Sequence, residues 1–287
     1  MTRTLPLVAC LCLLLVSCRK TEEVPAYLVI PAVSVDATMA QGGSTSKITE
    51  AWVSLDNKSL GVWELPARIP AIGSGAHTVR VSAGIKRNGT YDDRLQYPFY
   101  GSWSGTVELV EGSAVELAPT VTYFTQANFW WEGFEDVGNR FIVSEESDTT
   151  LLLYTPTSHP QVPVDGSTCA GFVLEPTRRL MSMYTDQNFG SSSGPAFIEL
   201  DYSTDVSLTI GFLYNSGGVG VAEAWVVLLP TTEVGGLRWN KVYMDVSALF
   251  DNGGITQRDF YIGASLPAGQ ASANVYLDNF KLVRRTP

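Results

Sequence analysis

From Tyr27 onward, apolar positions recur at every second residue in short runs broken by Gly, Pro, Asn and Asp. No stretch keeps an apolar stripe at helical spacing. Period-two runs of this kind predict half-buried β-strands, and the fold class expected is all-β. Ala51, Val53 and Leu55 alternate with polar neighbours, and Asp56-Asn57-Lys58 then turns the chain into Leu60, Val62 and Glu64. Asn and Asp suit such a turn because they tolerate left-handed backbone angles. His77, Val79, Val81 and Ala83 share one face of a third strand, and Asn88-Gly89 marks the next turn. Val107-Glu108-Leu109 and Val115-Glu116-Leu117 flank Glu111-Gly112 and read as a further hairpin. About seven short strands in about 100 residues predict an immunoglobulin-like sandwich over 27–124.

Beyond it, over 128–285, the apolar runs lengthen. Strands are expected at Phe197–Tyr202, Ser207–Tyr214, Glu223–Leu229, Trp239–Val246, Phe260–Leu266 and Ala273–Val283. Ala224 to Leu229 is apolar on both faces, which predicts a central strand. A proline-rich loop from Thr155 to Thr168 and a Gly/Ser-rich loop from Asp186 to Pro195 separate these runs. The layout is that of a jelly-roll sandwich, whose loops and concave face often carry binding sites.

The first residues follow a different pattern. Arg3 precedes an apolar run from Leu5 to Val16, too short to span a bilayer as a helix, and Ser17 supplies a small residue where a signal peptidase would cut. Leu15-Val16-Ser17-Cys18 resembles a bacterial lipobox. That resemblance implies a signal peptide over 1–17 and a lipidated Cys18 as the first mature residue. Residues 18–26 read as a polar linker from the lipid. Two or more buried acyl chains hold a protein on a membrane stably. A lipid-anchored protein of the outer membrane is expected, on its periplasmic face or the cell surface.

Composition removes several functions. The net charge is −10 and becomes one more negative when Arg3 leaves. This disfavours nucleic acid and anionic lipid surfaces as partners. With Cys10 and Cys12 in the signal and Cys18 lipidated, Cys169 remains alone in an apolar run, which predicts a buried, inert thiol. His77 reads as structural, a lone histidine expected to have no nearby carboxylate or second ligand. Glu199 and Asp201 fall on one strand face about 7 Å apart, the spacing of a carboxylate pair, but alternate acids on an exposed face are common. No nucleophile motif, metal-type His spacing or phosphate loop is present, so no enzymatic activity is expected.

Gly133-Phe134-Glu135-Asp136, Trp239-Asn-Lys-Val-Tyr-Met-Asp245 and Val275-Tyr-Leu-Asp-Asn-Phe-Lys-Leu282 resemble galactose-binding-like jelly rolls, the fold of many carbohydrate-binding modules. Lys47–Val53 and Gly75–Val81 resemble N-terminal sandwiches of Bacteroidota lipoproteins. The first resemblance implies a structural calcium ion held by Glu135 and Asp278, together with loop carbonyls. It also directs attention to aromatic side chains, because sugar C–H faces pack on aromatic rings. The candidates are Tyr184, Tyr214, Trp225 and Tyr261, with Tyr243 also considered, while Trp239 reads as core. Trp130-Trp131 either wedges the two halves together or presents an apolar patch. The expected function is non-enzymatic binding of glycan or protein at the cell envelope. The alternatives are an accessory subunit docked on an outer-membrane transport or assembly complex, and a surface glycoside hydrolase.

Overall fold

The computed structural model describes residues 23–155, 157, 164–232 and 236–285; Cys18 lies outside them. Among the described residues, strands carry nearly all of the regular structure, with one 3-10 turn at Met39–Gln41 and one short helix, α1 (Ser247–Asp251). The first half holds β1 (Ala26–Ile30), β2 (Ser34–Asp36), β3 (Glu50–Leu55), β4 (Lys58–Glu64), β5 (Ala67–Ala71), β6 (Gly75–Lys86), β7 (Arg94–Gln96), β8 (Trp103–Leu109), β9 (Ala114–Glu116) and β10 (Thr120–Thr122). These form one five-stranded sheet, β4-β3-β6-β7 with β8 also on β6, a three-stranded sheet β5-β1-β9 and a pair β10-β2. The β3–β4 connection uses the expected turn, with Asp56 and Asn57 both at positive φ.

The second half holds β11 (Ala127–Glu132), β12 (Phe141–Val143), β13 (Leu152–Tyr154), β14 (Cys169–Leu174), β15 (Leu180–Thr185), β16 (Ala196–Thr204), β17 (Leu208–Ser216), β18 (Val219–Leu228), β19 (Asn240–Asp245), β20 (Ile255–Ser265) and β21 (Ala273–Arg285). They make two antiparallel sheets. One runs β13-β14-β21-β16-β19, with β11 also on β21; the other runs β12-β15-β20-β17-β18. Inward-facing Ile198, Leu200, Phe212, Phe260, Ile262 and Phe280 belong to one buried core between them.

β16 shows how the halves meet. All nine of its residues are buried. Ala196, Ile198, Leu200 and Tyr202 face the sandwich core, while Phe197 belongs to the core of the first half, with Tyr97, Phe99, Tyr243 and Val283. Glu199 and Asp201 point the same way as Phe197, because alternate residues share a face. Both are buried, contrary to the exposed strand face expected for them. Glu199 accepts hydrogen bonds from the hydroxyls of Tyr97 (2.7 Å) and Tyr123 (2.8 and 2.9 Å) and pairs with Lys241 at 3.5 Å. Asp201 pairs with Lys241 at 3.3 Å and accepts from the Thr45 hydroxyl. Across the strands, Glu199 stands opposite Tyr243 and Lys281, and Asp201 opposite Lys241 and Asp278. Lys281 donates to the carbonyl of Gly43, and burial pulls its ammonium down to about 8.

Three further expectations are corrected. The strands around Glu111-Gly112 do not form a hairpin: the turn is made, but β9 crosses to pair in parallel with β1. The Ala224–Leu229 run is an edge strand, with Val227 and Leu229 open to solvent, because only β17 pairs with it. His77 has a carboxylate neighbour after all: Asp56, in the turn after the neighbouring strand β3, sits 2.6 Å from its ring nitrogen and raises the imidazole pKa. Cys169 is buried and its thiol is pushed up to about 12 by desolvation. Trp130 packs in the sandwich core against Phe141, Phe189 and Phe280, whereas a Cβ added at Gly42 would meet the Trp131 ring at 3.3 Å. The tandem therefore faces both ways, one ring into each side of the sheet.

Replacing Tyr123 by Phe removes a hydroxyl donor from Glu199 without changing the ring. A buried carboxylate left short of a donor costs about 1–3 kcal/mol. Urea unfolding of Tyr123→Phe should show a loss of that size; a midpoint equal to wild type would mean the seam does not depend on this bond.

Candidate functional site

The outer face of the β12-β15-β20-β17-β18 sheet is built by strand alternation. Met183, Ile210, Phe212, Phe260 and Ile262 point into the core. Their alternates, Tyr184, Gly211, Tyr261 and Gly263, therefore face outward. The register sets Ile142 opposite Tyr184, Tyr184 opposite Tyr261, Tyr261 opposite Gly211 and Gly211 opposite Ala224. This is one transverse row across five strands, about 19 Å long at the usual spacing between strands.

Two neighbouring tyrosines thus stand in this row between Ile142 on one side and Gly211 and Ala224 on the other. A Cβ at Gly211 would lie 2.4 and 2.5 Å from the Tyr261 ring, so that ring lies down over the glycine. A Cβ at Gly263 would touch the same ring at ordinary contact distance, 3.8 Å. Both tyrosines are half-buried, and among the described residues neither phenolic oxygen has a hydrogen-bond partner. A ring laid flat with an uncommitted hydroxyl presents an apolar surface and a polar tip together. Two residues along β20 from Tyr261 lies Asp259, half-buried, with its carboxyl pushed up to about 6 by desolvation. Asp259 lines a 410 Å³ cavity with Asn188, Leu213, Tyr214, Gln257 and Ala222. The face therefore combines an aromatic platform with convergent amide and carboxyl groups, the mixture that fixes a polar ligand's orientation.

Tyr214 borders the same cavity, and the remaining aromatic candidates lie elsewhere. Tyr214 packs against the sandwich core and donates its hydroxyl to Glu223 at 2.8 Å. Trp225 rests on Phe212 at 5.1 Å and donates its indole N–H to the Asp245 carbonyl, leaving the residue 37% exposed at the sheet edge. Tyr243 is buried at the seam, 5.0 Å from Tyr97. Trp239 packs against Tyr154 and Cys169. Asp259, Gln257 and the two glycines were missed in the sequence, although an isolated Gly inside a strand is a known sign of close approach.

Glu135 and Asp278 line one 330 Å³ cavity, together with Asp165, Gly166 and Asn279. Glu135 Oε1 accepts from the backbone N–H groups of Ser167 and Thr168 at 2.8 and 3.0 Å. Asp278 Oδ1 accepts from the N–H of Asn279 at 2.8 Å, while Oδ2 is buried with no partner. Desolvation, with neighbouring Asp201 and Asp165 adding repulsion, pushes the Asp278 carboxyl up to about 8. Among the described residues no group of three His, Cys, Asp or Glu side chains converges closely enough to hold a metal ion. Carboxylate oxygens suit calcium, and the orphaned Asp278 Oδ2 is the atom an ion would take. Glu199 is fully buried, and Asp201, at the floor of a cleft, is held by Lys241, so the two do not face each other across an open groove.

No protein-family model matches the sequence, and no curated protein matches it. Among solved structures, the chain is similar to a protein described under the promiscuous specificity of carbohydrate-binding modules from the β-sandwich superfamily, with a TM-score of 0.39 and 11% identity over 83% of this chain and 86% of that one. It is similar to a CBM28 module specific for non-crystalline cellulose, with a TM-score of 0.38 and 15% identity over 53% of this chain and 91% of that one. It is also similar to the CBM22-1–GH10 modules of Clostridium thermocellum xylanase 10B, with a TM-score of 0.39 and 8% identity; that match covers 55% of this chain and only 28% of the other. Likenesses of this degree, with TM-scores below 0.4, assign the chain no family and no function.

Proposed function

We propose that the protein binds glycan on the outer face of the β12-β15-β20-β17-β18 sheet, without catalysis, while anchored to the outer membrane through Cys18. The observation that carries the glycan reading is the outward-facing cross-strand pair Tyr184–Tyr261, with the Tyr261 ring lying over Gly211. Sugar rings stack on such platforms through their C–H faces, and Asp259 and Gln257 supply hydrogen bonds alongside. The anchor rests on the lipobox-like Leu15-Val16-Ser17-Cys18. Calcium is proposed as a structural ion at Asp278 and Glu135, supported by the orphaned Asp278 oxygen.

A second reading has its own observation. Val219, Val227 and Leu229 are 64%, 55% and 71% exposed along the β18 edge and just past it. An open, aliphatic strand edge suits a docked protein partner, as in an accessory subunit of an outer-membrane complex.

A screen of neutral oligosaccharides separates the two. Tyr184→Ala and Tyr261→Ala should each weaken glycan binding at least tenfold while leaving the melting temperature near wild type, because these rings lie outside the core. Trp225→Ala should lower stability and spare binding. No glycan hit, with stable co-purification of an outer-membrane barrel that Val227→Lys disrupts, would replace the first reading by the second.

The anchor is tested by Cys18→Ser, which removes the acceptor sulfur and should release the protein from carbonate-washed membranes. Retention of the variant would show that another element holds it. For the ion, a ligand bound only by the folded state raises the melting temperature by mass action. Calcium should raise that of wild type and not that of Asp278→Asn; identical curves with calcium and with chelator would remove the site.

A further inference from the structure

A further cavity lies away from the tyrosine face. It is a cleft of about 940 Å³ between the halves, walled by 45–47 and 88–90 on one side and by 227–231 and 238–242 on the other. It exists because loops of the first half dock on β19, the edge of its sheet. The Asn88 backbone N–H donates to the Tyr243 carbonyl at 2.8 Å, and the Asn88 side-chain oxygen accepts from the Asp245 N–H at 2.8 Å. Lys47 crosses the gap to Asn240 Oδ1 at 2.7 Å.

The charge in this cleft runs against the rest of the molecule. At its floor Lys241 and Asp201 neutralise one another. Above them stand Lys47 and Arg238, and among the described residues neither has a carboxylate within ion-pair distance. Desolvation first, then repulsion from Lys86 and Arg238, lowers the pKa of the Lys47 ammonium. Two unpaired cations held near one another in a protein of net charge −10 favour an anion between them. The cavity is far too roomy for a bare ion. Its remaining lining alternates hydroxyls and amides, such as Thr45, Thr90, Thr231 and Asn88, with the Trp239 indole and aliphatic Leu229. Hydroxyl and amide groups that both donate and accept suit a polyhydroxylated body, and the apolar members suit its C–H faces.

We infer that this cleft is a second binding site, for an acidic oligosaccharide whose carboxylate or sulfate is held by Lys47 and Arg238. It is distinct from the tyrosine face and does not depend on neutral glycan binding there. Because both walls contribute, the ligand would bridge the two halves.

The test is calorimetric titration of the Tyr184→Ala protein, so that the other face is silent, with oligogalacturonate, with a sulfated oligosaccharide and with a neutral oligosaccharide of equal length. At least one acidic ligand should bind, and which one does so identifies the anion; the neutral ligand should bind at least tenfold more weakly. Lys47→Gln and Arg238→Gln should each weaken binding about tenfold, as expected for loss of a charge-assisted contact, and Arg238→Lys should restore part of it. Raised salt should weaken binding in the parent. Both side chains are solvent-reaching, so unchanged melting curves would confirm that the variants fold. The inference is overturned if neither acidic ligand binds, if the neutral one binds equally, or if binding survives the double variant Lys47→Gln/Arg238→Gln.

Discussion

One buried carboxylate organises the molecule. Glu199 sits on an inner strand of a sheet whose two faces belong to two different cores. It is tolerable there only because Tyr97 and Tyr123 reach it from the first half and Lys241 from the neighbouring strand. A buried ion stripped of partners is strongly destabilising, whereas a fully satisfied one fixes geometry more than it adds stability. The first half must therefore dock in one register, with both phenols on the same carboxylate. Phe197, Tyr243 and Val283 then complete its core from the other side of the seam. The cleft between the halves is a consequence of that docking, and so is the enclosure of Asp278 beside Asp201.

The arrangement leaves the two sheets of the second half with different tasks. One is covered and gives up its outer face to the seam. The other keeps its outer face, and there the alternation that buries Met183, Phe260 and Ile262 turns Tyr184 and Tyr261 outward. A ligand face on strands whose inner residues are fully packed is held more rigidly than one on loops. Gly211 matters here for what it lacks: an added Cβ would strike both the Tyr261 ring and the Glu223 carbonyl.

Much of this was legible in the sequence, and the failures have a common cause. Period-two runs identified the strands, and Asp56-Asn57 identified a turn, because both are local. Which strands become neighbours is not local. Val115–Leu117 reads as the return arm of a hairpin, yet it joins β1. Ala224–Leu229 reads as central because apolar residues occupy both faces, but an edge strand beside open apolar surface has the same composition. Glu199 and Asp201 alternate with Ile198, Leu200 and Tyr202, which is the pattern of a strand with one wet face; nothing nearby in the chain shows that a second core will cover it. Among the aromatic candidates the sequence could list tyrosines but could not assign faces, since a bulge interrupts the pairing of β17 with β20 just where Tyr214 stands.

Chemical-shift mapping with a neutral oligosaccharide identified in the glycan screen bears most directly on the central claim, that the open sheet is the glycan-binding face. The account predicts the largest changes along Ile142, Tyr184, Tyr261, Gly211 and Ala224, with Asp259 and Gln257 beside them and the seam residues around Glu199 unmoved. Changes confined to the first half or to the β18 edge would contradict it.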